Sequence, residues 1–118
     1  MSVPHEYLHA DALQASGPVE VMVSRFAGSD GVGEFNLMLR PLAGSSLESQ
    51  LTWLEHALTD ALACNGLARG DIVFCRYFCT DCPHAIDAVD QHARCGARHG
   101  AVSVIAQPPV APALVGLW

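Results

Sequence analysis

Seven side chains able to ligate a metal or act as nucleophiles crowd into 25 residues: Cys75, Cys79, Cys82, His84, His92, Cys95 and His99. Thiolate and imidazole form the ligand set of zinc, and a Cys beside a His makes a nucleophile and its base. The spacing restricts both chemistries. Cys75 and Cys79 lie in an apolar run that predicts a strand. At about 3.3 Å per residue their backbones are ~13 Å apart. Zn–S bonds are about 2.3 Å, so one tetrahedral zinc cannot take both thiols. His92, Cys95 and His99 share a helix face, so a reduced site drawn from Cys82, His92, Cys95 and His99 stays open. The competing reading is small core thiols and exposed helix histidines. That reading is favoured, and no metal or cofactor is expected.

Cys75-x3-Cys79-x2-Cys82 also has the spacing of a radical-SAM iron–sulfur loop. That chemistry needs a large barrel around the cofactor, and 118 residues are too few for one. Gly28-Ser-Asp-Gly-Val-Gly33 reads as a hairpin turn, because a phosphate cradle needs a helix after the loop and here a strand follows.

Three further polar residues are candidates for ligand binding. Arg76 sits in the most apolar predicted strand, where a guanidinium needs an anionic partner. That partner is either a substrate carboxylate held bidentately or a structural Asp or Glu at a subunit interface. Arg98 follows the second predicted helix and can serve its C-terminal dipole or a ligand. Gln107 precedes Pro108-Pro109, and its amide can fix a loop or a ligand. Trp53 and Trp118 read as packing or interface groups rather than stacking platforms.

The elements that position these residues follow from periodicity. The first 17 residues are mixed and read as irregular, or at most as one edge strand. Val19–Phe26 and Glu34–Leu42 alternate apolar and polar residues around the glycine turn, as a hairpin does. Ser45 and Glu48 form a capping box before the stripe Leu47, Leu51, Leu54, Leu58 and Leu62, and Asn65-Gly66 ends that helix. Ile72–Thr80 predicts a strand buried on both faces. Asp81 caps a second helix, with Pro83 in its first turn and Ile86, Val89 and Ala93 on its apolar side. Ala101–Ala106 and Ala113–Trp118 complete the order β-β-α-β-α-β-β, an α+β domain with two helices on one face of a mixed sheet.

Composition bounds the function. The chain is 51% hydrophobic and only 15% charged, enough to bury one core. So low a charge fraction in so small a chain points to further burial by oligomerisation. There are 12 acidic residues against 6 basic ones, all Arg, for a net charge of −6. Lysine Schiff-base chemistry and the P-loop lysine are therefore excluded, and broad phosphate-backbone binding is disfavoured. No nucleic-acid partner is expected. No apolar run approaches ~20 residues, so no membrane partner is expected either. Five cysteines, an odd number, without an apolar leader indicate reduced thiols in a cytoplasm. The last predicted strand is still running at Trp118, so a continuation beyond it is an expectation.

From about Ser46 onward the order of short motifs resembles the RidA/YjgF family of small trimeric proteins, also known as the L-PSP endoribonuclease family. The resemblance rests on Gln50 in the first helix, Ala63-Cys-Asn-Gly66 at its end, Asp71-Ile-Val73, Thr80-Asp81 closing the buried strand, Val89-Asp90, and Val104-Ile-Ala-Gln-Pro-Pro109. It covers roughly 70 of 118 residues. The resemblance implies a chorismate-mutase-like fold, with three subunits packing their sheets into a central barrel and ligand clefts between them. It also implies hydrolysis of enamines and imines to keto acids and ammonia, with an Arg on the substrate carboxylate and a water beside an acidic residue. The pattern is departed from where that chemistry would sit. The family Arg falls near Gly100 or Ala101, with Arg98 as its displaced counterpart, and the late acidic residue falls at Leu117–Trp118. Asp90 stands where the family commonly has Asn and is the candidate for activating water.

The first expectation is thus a homotrimer binding a small carboxylate through Arg76, Arg98 and Gln107, with Asp90 catalytic if imines are hydrolysed. A non-catalytic ligand-sensing or interaction module of the same fold is the second. A Cys/His metal-binding protein is the third. A ribonuclease role finds no support in a −6 chain without Lys.

Overall fold

The computed structural model describes residues 5–9, 18–28, 31, 33–44, 46–95 and 100–118, with residues 5–9, 94 and 95 described by backbone alone. Strands β1 (His5–His9), β2 (Val19–Ala27) and β3 (Gly33–Pro41) precede helix α1 (Leu47–Cys64). A 3-10 turn at Arg69–Asp71 leads to β4 (Phe74–Cys79), helix α2 (Pro83–Cys95), β5 (Ala101–Ile105) and β6 (Val115–Leu117). The strands form one mixed sheet in the order β1-β2-β3-β6-β4-β5. Only β4 and β5 run parallel, joined through α2. The α+β expectation holds, with two helices packed on one face. The segment read as irregular or an edge strand contains the edge strand β1, antiparallel to β2. No helix among the described residues is long and apolar enough to cross a membrane.

The hairpin forms as the alternation dictates. β2 and β3 stay in register from Val19↔Pro41 to Ala27↔Gly33. Val21, Val23 and Leu39 are thereby buried under the helices. On the opposite face the register sets Met22 beside Met38 and Glu20 beside Arg40, which form an ion pair at 3.2 Å.

The α1 stripe Leu47, Leu51, Leu54, Leu58 and Leu62 is buried as its spacing requires. The helix starts one residue later than expected. Ser46 is the cap, its hydroxyl accepting the Ser49 N–H at 3.1 Å. Gly66 follows with φ +68°, a conformation that favours glycine after a helix end. Gln50 is buried among these leucines. Its Nε2 donates to the carbonyls of Ala43 (3.2 Å) and Pro112 (3.1 Å), and its Oε1 accepts the Leu114 N–H at 2.7 Å. One amide thus fixes the start of α1 to the segment that feeds β6.

Ile72–Thr80 is shorter as a strand than expected and buries one face. Cys75, Tyr77 and Cys79 point into the core, while Phe74 on the other face is 45% exposed within the chain. An all-apolar run predicts burial of both faces only if something covers the second one, and no element among the described residues does so. α2 is capped by Cys82 rather than Asp81: the Cys82 sulfur accepts the Ala85 N–H at 3.4 Å. Pro83 occupies the first helical position, so the preceding residue is the cap.

Candidate functional site

The placement of β6 borders a concavity. β6 is wedged between β3 and β4 and pairs with β3 only at Leu39↔Leu117. It pairs with β4 at Tyr77↔Leu117, Phe78↔Gly116 and Cys79↔Val115. The first half of β3, the start of β4 and Trp118 border a cavity of about 550 Å³. Leu58 and Leu62 of α1 form its floor, Glu34 and Asn36 of β3 line one side, and Phe74 and Trp118 line the other.

Arg76 stands beside this cavity, on the face of β4 away from the helices. Its guanidinium carbon lies 5.1 Å from the Trp118 ring centre and 5.8 Å from that of Phe74. The rings themselves meet edge to face at 5.8 Å. Phe74 and Trp118 therefore belong both to the cavity wall and to the surroundings of the guanidinium. Across the ladder, Ser103 of β5 pairs with Arg76 and shares its face. Among the described residues no carboxylate forms an ion pair with Arg76, and its buried Nε has no hydrogen-bond partner. The structural Asp or Glu foreseen as one partner for this cation belongs to a subunit interface, and so to another copy of the chain.

Asp90 lies elsewhere. It is on α2, and α2 packs on the Tyr77 side of β4, where the Tyr77 and His92 rings meet at 6.2 Å. Arg76 points to the opposite side of the same strand. Within one chain the sheet separates the expected anchor from the expected water-activating group. Gln107 is exposed past the end of β5, where its backbone N–H turns back to the Ile105 carbonyl at 2.9 Å, and it does not line the cavity. Arg98 lies outside the described residues.

The described members of the cysteine–histidine cluster are dispersed by the fold. Cys75 and Cys79 are both buried along β4. Cys82 and His92 are ten residues apart along α2, ~15 Å at 1.5 Å per residue, so one ion cannot take both. His92 Nε2 instead lies 3.3 Å from Glu55 Oε2. Glu55 also holds Arg69, which donates to Thr59 Oγ1 at 2.9 Å. No group of three metal-ligating side chains occurs among the described residues. The side chain of Cys95 and all of His99 lie outside them.

Two residues escaped sequence reasoning as part of a site. Glu34 is the cavity carboxylate on β3; alternation placed it on the open face, but nothing local tied it to a cavity bordered by β6. Asp71 also lines the cavity, but its Oδ2 accepts the Ala68 N–H at 2.8 Å and closes the 3-10 turn. The partnership of Phe74 and Trp118 with Arg76 needs a pairing between residues 42 apart, which no local pattern encodes.

Comparison with models of protein families, with curated proteins and with solved structures finds no match to this chain.

Proposed function

We propose that the chain forms a homotrimer that binds small carboxylate-bearing metabolites at the boundaries between its sheets, with Arg76 as the carboxylate anchor. The observation that carries this reading is the Arg76 guanidinium, set beside the Phe74 and Trp118 rings with no carboxylate partner among the described residues. A planar fork braced by rings and lacking an anion is suited to bidentate carboxylate recognition.

The trimer is proposed from the uncovered face of the sheet. That face presents Met22, Met38, Phe74 and Phe78, with Met38 52% exposed. An apolar face of this kind favours a protein partner, and copies of the same chain are the commonest one. The resemblance to RidA/YjgF proteins motivates the same assembly and a chorismate-mutase-like fold. The strand order with parallel β4 and β5 supports that assignment. A cytoplasmic setting belongs to the proposal, given the free thiols of Cys64, Cys79 and Cys82.

A second reading is favoured by one observation. Asp90 and Arg76 lie on opposite faces of the sheet, so one chain does not bring the expected catalytic pair together. A ligand-binding module without turnover follows if no other carboxylate substitutes. Glu34, on the cavity wall, is the residue placed to do so.

Native mass, tryptophan fluorescence with a small 2-keto acid, and a 2-aminoacrylate hydrolysis assay test the proposal on one sample. Trimers that bind and hydrolyse support the deaminase reading. Trimers that bind without turnover support the sensing module. Monomers that bind no carboxylate overturn both.

A further inference from the structure

β4 ends at Cys79, and two residues later Cys82 caps α2. The turn between them is tight: the Thr80 carbonyl accepts the Cys82 N–H at 2.9 Å. Cys79 points to the helix side of the sheet and is fully buried, while Cys82 is partly exposed and packs on the rim of the same core. The Cys82 sulfur accepts the Ala85 N–H, and its carbonyl accepts that of Ile86 at 3.0 Å. Cys82 thus stands at the start of α2, beside the buried end of β4. Because β4 and β5 are parallel and joined through α2, they form a βαβ unit. Cys79-Thr-Asp-Cys82-Pro83 occupies its strand-to-helix junction. Cys-x-x-Cys near a βαβ unit is a spacing that thiol–disulfide exchange uses.

We propose that Cys79 and Cys82 are a redox-active pair, with Cys82 as the attacking thiol and Cys79 as the resolving thiol, whose substrate is a low-molecular-weight disulfide. The Cys82 thiolate attacks one sulfur of that disulfide. The substrate S–S bond breaks, one thiol leaves with a proton from solvent, and Cys82 carries a mixed disulfide. Cys79 then gives its proton to solvent and attacks the Cys82 sulfur. The second thiol is expelled and the Cys79–Cys82 disulfide forms. The protein pair has lost two electrons and the small disulfide has gained them. Burial, Cys82 and Asp81 raise the Cys79 thiol above its ordinary value, which suits the resolving step rather than the attack. Of the other described cysteines, Cys64 is at the end of α1 and Cys75 within β4, neither at a helix start.

The test incubates the folded chain with oxidised glutathione, blocks free thiols by alkylation and cleaves after arginine. The peptide from Tyr77 to Arg94 carries both cysteines. The expected wild-type peptide is two hydrogens lighter and takes no alkyl group. Cys79→Ala retains a glutathione adduct at Cys82, and Cys82→Ser, at a partly exposed cap, gives neither crosslink nor adduct at Cys79. A wild-type peptide alkylated at both positions overturns the proposal. So does a Cys79→Ala protein whose adduct forms no faster at Cys82 than at the exposed Cys64. Circular dichroism of each variant separates these outcomes from loss of fold.

Discussion

Arg76 and Trp118 hold each other twice. Their backbones exchange hydrogen bonds, Arg76 N–H to the Trp118 carbonyl at 2.5 Å and Trp118 N–H to the Arg76 carbonyl at 2.8 Å. Their side chains then meet on the face away from the helices, cation over ring. A pair of ladder bonds thus orients a guanidinium beside the cavity and gives it a fluorescent neighbour.

Replacing Arg76 with Ala removes the charged anchor but leaves the backbone pair. A cation–π contact at a partly exposed site is worth about 0.5–1 kcal/mol, so the unfolding midpoint moves little. A hydrogen bond to a charged group contributes about 1.5–3 kcal/mol, so carboxylate affinity falls about 10- to 100-fold. Titration of Trp118 fluorescence checks this. Unchanged affinity in Arg76→Ala removes Arg76 from the site. Arg76→Lys keeps the charge without the planar fork and is expected to bind between the two.

Gln50→Leu fills the same space with an apolar side chain. It leaves the Leu114 N–H and the Ala43 and Pro112 carbonyls without the bonds they make to Gln50. Buried groups left unsatisfied cost about 1–3 kcal/mol each, and partial relaxation sets the expected loss at about 2–4 kcal/mol. Urea denaturation measures it. A loss below about 0.5 kcal/mol would show that the clamp between α1 and the β6 leader contributes nothing net.

Gly100 has φ +87°, and a Cβ there would stand 2.2 Å from the Val73 carbonyl oxygen. That carbonyl already accepts the Ala101 N–H at 3.1 Å, the first bond of the β4–β5 pairing. Gly100→Ala must therefore displace backbone and adopt a strained conformation together, and a loss of more than about 2 kcal/mol is expected. Thermal unfolding of the variant decides; a midpoint within one degree of wild type sinks the assignment of Gly100 as an obligatory close approach.

The Cys79 thiol is raised by burial first, then by Cys82 and Asp81. Above the ordinary thiol range, near pH 8.5, the unfolded chain loses this proton while the folded chain keeps it. The folded state then binds more protons, so stability falls as pH rises, from the ordinary thiol value up to the raised one. Below that window the contribution is constant. Unfolding midpoints of wild type and Cys79→Ala across pH 7 to 10 test the sign. The alkaline decline is expected to be shallower in Cys79→Ala, and parallel curves would refute the assignment.

How much was legible in the sequence depends on the range of the interaction. The hairpin, the α1 stripe and the Asn65-Gly66 stop were legible because each is set within a few residues by alternation, helical spacing or a backbone preference. The start of α2 was misplaced by one residue because Asp81 and Cys82 can both cap, and Pro83 at the first helical position decides between them. Arg76 was legible as an anomaly, a cation in an apolar strand, without its neighbours. Asp90 was singled out only through the family resemblance, and its separation from Arg76 was not legible.

The sequence by itself determined the α+β class and the absence of lysine chemistry, since these depend on composition and near-neighbour periodicity; it predicted burial of both faces of β4, and the structure buries one. Only the tertiary structure decided that β6 enters between β3 and β4. That pairing brings Trp118 to Arg76, borders the cavity beside Glu34, and puts the sheet between Arg76 and Asp90. The physical reason is that strand order is selected by burial and backbone hydrogen bonding summed over the whole sheet, a quantity no short window of residues contains.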